Sequence, residues 1–271
     1  MTQPRVMGIV NVTPDSFSDG GTHGDAASAL RHGEALLAQG AHILDIGGES
    51  TRPGSPAVPL EIERARVLPV VREAVKLGVP VSIDTYKADL MREALDAGAD
   101  IINDIWALRQ AGALDVVARH PCCGICLVHM HRNPQTMQTA PMDGDAVAQT
   151  SRFLRERLDA LSAAGIATTG RVVLDPGIGF GKTVAQNFAL LARQSELQSL
   201  GHPLLLGWSR KSALGAVTGI EQAHDRIAPS VAAALLAVER GACIVRVHDV
   251  RETVAALAVW QAMREQARTN V

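Results

Sequence analysis

The sequence is poor in aromatic residues, which fill 3% of its 271 positions and include a single tyrosine. The core must therefore be built from Ala, Val, Leu and Ile. That suits strands buried on both faces and helices packed against a sheet. No apolar run approaches the roughly 18 residues that a membrane span needs. The formal net charge is only −2, so no basic field draws the chain to nucleic acid or to an anionic membrane. Cysteine is sparse, with Cys122, Cys123, Cys126 and Cys243 only. The Cys123-x-x-Cys126 pair has no second pair to complete a zinc site and leads straight into a strand. Reduced core thiols in a cytoplasmic protein are expected. The first apolar run, residues 5–12, is too short for a signal peptide.

Eight short Val/Ile/Leu runs are present instead, and they predict strands at 5–12, 42–47, 80–85, 100–105, 124–130, 172–177, 203–208 and 243–248. Between them lie stretches with helical spacing. Three early ones, Ala26–Gln39, Leu60–Leu77 and Lys87–Ala97, each stop at a glycine. Later ones are Asp115–Arg119, Asp143–Ala164, Ala185–Leu200, Ala228–Arg240 and a last helix from Arg251 to about Arg268. Strand–helix alternation gives an open doubly wound sheet or a closed barrel. Each strand ends at a polar side chain: Asn11, Asp45, Asp84, Asn103, His129, Asp175, the run Ser209-Arg210-Lys211, and Arg246 with His248. Polar residues at every strand end, not at one crevice, favour a single-domain (β/α)₈ TIM barrel over residues 1–271, with its active site at the C-terminal ends of the strands.

Two connections are long and rich in Gly, Ser and Pro: Thr13–Gly24, with Asp15 and Asp19, and Gly47–Pro59, with Glu49 and Arg52. Connections of that length tend to be functional, and both read as flaps over the mouth. Asp84, Asn103, Asp175 and Lys211 together suit a flat heterocycle whose edge carries adjacent N–H donors and acceptors, as in a 2-amino-4-oxo pterin or a guanine. An internal Asp–Lys–Asp ion network is the structural alternative. Arg246 and His248 share one face of their strand and fit a phosphate or diphosphate. Asn11, on the strand that meets them when the barrel closes, offers a neutral oxygen that could complete a Mg²⁺ shell made mainly of water and phosphate oxygens. The Gly177–Thr183 stretch has Pro176 where a P-loop needs its first glycine, so it reads as a tight turn. The pair His129 and His131 resembles metal ligands, but no further His stands on most of the other strand ends. Ser16, Ser50 and Ser209 lie in no nucleophile elbow.

Two stretches, Asn11-Val12-Thr13-Pro14-Asp15-Ser16-Phe17-Ser18-Asp19-Gly20-Gly21 and Asp45-Ile46-Gly47-Gly48-Glu49-Ser50-Thr51-Arg52-Pro53-Gly54, resemble the two signatures of the dihydropteroate synthase family. Ile83-Asp84-Thr85, Ile102-Asn103-Asp104, Asn133-Pro134 with Thr136-Met137-Gln138, Asp175-Pro176-Gly177, Ser209-Arg210-Lys211 and Arg246-Val247-His248-Asp249 match in order. The resemblance implies condensation of 6-hydroxymethyl-7,8-dihydropterin diphosphate with 4-aminobenzoate, Mg²⁺ as cofactor and a homodimer. It implies that Asp84, Asn103, Asp175 and Lys211 hold the pterin. Asn11, Arg52, Arg246 and His248 would hold diphosphate, Asn11 with Mg²⁺ as well and Asp19 joining them. Asp19, Arg52, Lys211, Arg246 and His248 carry the catalytic expectation. Phe17, Thr51, Pro53, Phe180, Ser212 and Lys211 would frame the aminobenzoate. Trp208, where smaller apolar residues are common, and Ile178 bear on the shape of that last subsite. A pterin-dependent methyltransferase barrel and a pterin sensor without turnover are the rival readings.

Overall fold

A computed structural model describes residues 3–13, 21–51, 54–137 and 139–269. Eight strands are present: β1 (Arg5–Asn11), β2 (Ile43–Gly47), β3 (Val81–Asp84), β4 (Ile101–Asp104), β5 (Gly124–Val128), β6 (Val172–Asp175), β7 (Leu204–Leu206) and β8 (Ala242–Val247). All pair in parallel with their sequence neighbours, and β8 pairs with β1, so the sheet closes into a barrel. Closure removes the exposed edges that an open sheet would leave. The TIM barrel expectation holds, with strand ends that differ from the expected ones by up to two residues.

The helices are α1 (Gly21–Ala38), α2 (Leu60–Ala74), α3 (Ala88–Asp96), α4 (Ala113–Arg119), α5 (Ala146–Ala163), α6 (Val184–Ala192), α7 (Gln194–Gln198), α8 (Ser212–Thr218), α9 (Ile227–Glu239) and α10 (Val250–Thr269). Helix α1 begins within the stretch read as the first flap, because a glycine weakens a helix without forbidding it. The single helix expected over 185–200 is two, broken at Arg193, whose φ of −104° and ψ of 21° leave the helical well. Helix α8 was not expected; its seven residues are too few to display a period. Helix α5 starts later than expected because Asp145, not Asp143, caps it, accepting from the N–H groups of Val147 and Ala148. No helix among the described residues is long and apolar enough to cross a membrane.

The alternation of side chains along each strand sorts the core into two layers. Val6, Val10, Leu44, Ile46, Val81, Ile83, Ile102, Ile125, Leu127, Leu174, Leu204, Val245 and Val247 face outward into the layer beneath the helices. Met7, Ile43, Cys126, Val128 and Leu205 face inward, with Ile101, Val173 and Ile244 packed against them. Met7, Ile43, Cys126 and Leu205 plug the barrel beneath the mouth, and Val128 reaches the mouth cavity. Above them, toward the C-terminal ends, the inward positions turn polar.

Candidate active site

Strand register places the polar ring. Asn11 pairs with Gly47, Gly47 with Asp84, and Asp84 with Asn103, so these follow one another on neighbouring strands, and Asn11, Asp84 and Asn103 line the mouth. Gly47 contributes no side chain there. A Cβ at that position would lie 3.3 Å from the Cβ of Asp84, so glycine leaves the space that Asp84 occupies. One inward step below, Asp45 is fully buried. It accepts from Arg246 Nε at 2.6 Å and from Asn103 Nδ2 at 3.2 Å. The same guanidinium donates through Nη2 to Asp84 Oδ2 at 2.7 Å. Arg246 thus links two carboxylates across the floor of the mouth, its planar fork matching both acceptors.

Burial pushes the Asp84 carboxyl up to about 7, despite the neighbouring Arg246 guanidinium, and the nearby charge of Asp45 adds to the rise. Burial also raises Asp175, opposed by the Gly177 N–H, which donates to Asp175 Oδ1 at 2.7 Å, and by the charge of Lys211. Arg246 moves still further above its ordinary range, because attraction to Asp45 and Asp84 outweighs desolvation. Asn103 Oδ1 is buried with no hydrogen-bond partner among the described residues. An orphaned buried acceptor costs about 1–3 kcal/mol.

The opposite wall is a glycine turn after β6. Gly177 has φ 68°, and a Cβ there would fall 1.8 Å from the carbonyl oxygen of His129, so only glycine fits. Asn187 braces the turn by accepting from the Gly179 N–H at 2.7 Å. Lys182 Nζ, buried beneath it, donates to the carbonyls of Gly177 at 2.8 Å and Phe180 at 3.2 Å and pairs with His129 Nδ1 at 2.8 Å. Burial pulls this lysine down to about 7. It braces from within the tight turn that the failed P-loop spacing implied. Above the turn, Lys211 Nζ lies 4.4 Å from the centre of the Phe180 ring, within cation–π range.

These elements enclose a cavity of about 450 Å³ at the C-terminal mouth. Of the residues singled out from sequence, Asn11, Thr51, Asp84, Asn103, Asp175, Phe180, Lys211, Ser212, Arg246 and His248 all line it. Phe17, Asp19, Arg52 and Pro53 lie outside the described residues, as does Gln138. Two expectations are corrected. His129 is not a mouth residue: it packs edge-on to Phe153 of α5 at 4.9 Å, because Val128 and Met130 take the inward positions of that strand. Trp208 does not shape the ligand cavity either. It is buried beneath the helices, with its ring centre 5.3 Å from that of Phe188. Ile178 does line the cavity. Sequence reasoning missed Asp45 as the partner of Arg246, although its place two residues before Gly47 on the inward face was a usable signal. It also missed Arg226, which lines the cavity and donates to the carbonyls of Ile220 at 2.9 Å and Arg210 at 3.0 Å. Nothing in the local pattern marked that residue.

The chain matches the family described as pterin binding enzyme over residues 7–248. It is 51% identical over 268 residues to the dihydropteroate synthase of Neisseria meningitidis serogroup B, covering 97% of this chain and 94% of that protein. Two solved structures of the Xanthomonas albilineans dihydropteroate synthase superpose on it. The form with 4-aminobenzoic acid is 53% identical with a TM-score of 0.91, covering 97% of this chain and 93% of that one. The form in complex with 7,8-dihydropteroate is 50% identical with a TM-score of 0.88, covering 97% and 95%. The mouth geometry and these likenesses agree, and the chain belongs to the dihydropteroate synthase family.

Proposed function

We propose that this chain joins 6-hydroxymethyl-7,8-dihydropterin diphosphate to 4-aminobenzoate, forming 7,8-dihydropteroate and pyrophosphate, and that the residues gathered at the mouth divide the work. The observation that carries the reading is the convergence of Asp84, Asn103, Asp175, Lys211 and Arg246 on one cavity. The two carboxylates and Asn103 take the N–H edge of the pterin, and Lys211 takes its acceptors. Arg246 and His248 face the diphosphate, with Arg52 and Asp19 joining from the two flaps. Thr51, Phe180 and Ser212, with Phe17 and Pro53, frame the aminobenzoate.

An arylamine is neutral at pH 7, so its lone pair needs no strong base. The difficult step is expulsion of diphosphate from the pterin methylene. Arg246, His248 and Arg52 offset the charge that grows on the leaving oxygens. Asp84 and Asp175 surround the ring with negative charge and favour a largely dissociative displacement. Arg246 also bonds Asp84, so it couples the pterin side to the leaving-group side. Among the described residues no three His, Cys, Asp or Glu side chains converge to form a metal cage. The neutral amide of Asn11 at the mouth suits a Mg²⁺ ion whose other ligands are water and diphosphate oxygens, as that ion prefers. When bound, the ion supplies positive charge to the leaving group. We include a homodimer in this reading, which sedimentation checks.

Incubation with Mg²⁺, the pterin diphosphate and 4-aminobenzoate, followed by measurement of pyrophosphate and dihydropteroate, tests the reading. Stoichiometric release of both supports it. Pterin binding without pyrophosphate leaves the sensor; methyl transfer to a corrinoid partner instead leaves the methyltransferase.

A further inference from the structure

Ser209 follows β7, and His248 follows β8, so adjacent strands deliver them side by side. The backbone N–H of His248 donates to Ser209 Oγ at 3.1 Å, and Ser209 Oγ stands 3.0 Å from His248 Nδ1. The next residue along each segment repeats the link. Arg210 Nε donates to Asp249 Oδ2 at 3.1 Å and Arg210 Nη2 to Asp249 Oδ1 at 2.5 Å. Arg210 holds a left-handed φ of 60°, a conformation that costs a non-glycine residue energy and persists only where its surroundings fix it. Its N–H donates to Ser230 Oγ at 2.9 Å, and its carbonyl accepts from Arg226 Nη1 at 3.0 Å. Residues 209–210 are therefore latched to 248–249 at two successive positions.

The latch has a consequence for the imidazole. A serine hydroxyl carries one proton and two lone pairs. A lone pair of Ser209 receives the backbone N–H of His248, and the buried hydroxyl proton has Nδ1 within reach as acceptor. A neutral imidazole bears its proton on one nitrogen only. With Nδ1 accepting, the proton sits on Nε2. We propose that Ser209 is a positioning residue that fixes His248 as the Nε2–H tautomer, so that the ring turns a hydrogen-bond donor toward the diphosphate oxygens. The other tautomer would present a lone pair to an anion. This inference rests on the diphosphate reading of the cavity.

Nitrogen-15 spectra of the full-length protein, at a pH where the ring is neutral, read the tautomer directly. His248→Gln assigns the resonances. The wild type is expected to show a protonated Nε2 and a bare Nδ1. Ser209→Ala should give a mixture of tautomers and lower turnover about tenfold, a partial loss beside the roughly 10²–10³-fold that deleting an aligned donor outright costs, with KM for 4-aminobenzoate unchanged. Ser209→Thr, which keeps the hydroxyl, should restore both. A wild type protonated on Nδ1, a Ser209→Ala spectrum and turnover identical to wild type, or equal losses in the Ala and Thr variants would each overturn the proposal. Should Ser209→Ala fail to fold, the wild-type spectrum and the Ser209→Thr turnover still decide. Absence of pyrophosphate from the wild type would defeat the reaction reading instead, while the tautomer spectrum would stand independently.

Discussion

The two ends of the barrel interior are built from the same eight strands and the same alternation, yet their inward residues are opposite in kind. At the N-terminal end Met7, Ile43, Cys126 and Leu205 fill the space. Two to four residues further along those or neighbouring strands stand Asn11, Asp45, Asp84, Asn103, Asp175 and Arg246. The first end gains stability from area removed from water, about 1.5–3 kcal/mol for each fully buried large side chain. The second places carboxylates where burial opposes their charge and raises Asp84 and Asp175. A fold that needed only stability would have continued the apolar plug to the rim. The contrast separates what holds the barrel from what the barrel does, and it can be broken from either side.

The largest effect is expected from Arg246→Ala. The structure changes what this substitution should do, because the guanidinium bonds Asp45 and Asp84 in addition to its proposed role at the diphosphate. Removing it leaves two buried carboxylates without their cation, a loss of about 3–5 kcal/mol in stability by chemical denaturation. Turnover should fall by about a thousandfold or more, and pterin affinity should fall with it. Retained pterin affinity in a folded variant would confine Arg246 to the leaving group. Met7→Ala is the converse case. It should cost about 2–5 kcal/mol in the same denaturation measurement while leaving kcat within about twofold.

A third effect is graded with pH. Asp84 in the free protein is protonated below about 7, and a pterin whose N–H groups face it needs the carboxylate. Affinity for a pterin analogue should therefore weaken as pH falls below about 7, approaching tenfold per unit, and level off above it. Asp84→Asn should flatten that slope; an unchanged slope would assign it to another group. The smallest effect belongs to Trp208→Phe. Because the indole packs on Phe188 beneath the helices, KM for 4-aminobenzoate should move less than about twofold while stability drops.

The barrel was legible because glycine stops and apolar runs repeat with the right spacing, and the expected stop at Gly78 does take the left-handed φ of 74°. Most of the polar ring was legible for the same reason. What failed depended on strand phase. In a parallel sheet both faces are apolar, so composition does not say which residues of a strand point inward. His129 was placed at the mouth on its position alone, and the structure turns it to the helices. Asn103 and Asp104 show the same ambiguity resolved two ways. Asn103 enters the cavity, while buried Asp104 points outward and accepts from the N–H groups of Trp106 and Leu108, each at 2.7 Å. The Arg246–Asp45 bond spans 201 residues and exists only because β8 closes against β1. No local pattern carries that pairing.

Calorimetric titration of 6-hydroxymethylpterin into the wild type and into Asp84→Asn, Asn103→Ala, Asp175→Asn and Lys211→Met addresses the shared pocket most directly. Each variant should bind at least about tenfold more weakly than the wild type, with its fold intact, since each removes a bond to the same ring. Two of the four binding with wild-type affinity would show that these side chains do not grip one heterocycle, and would contradict the account.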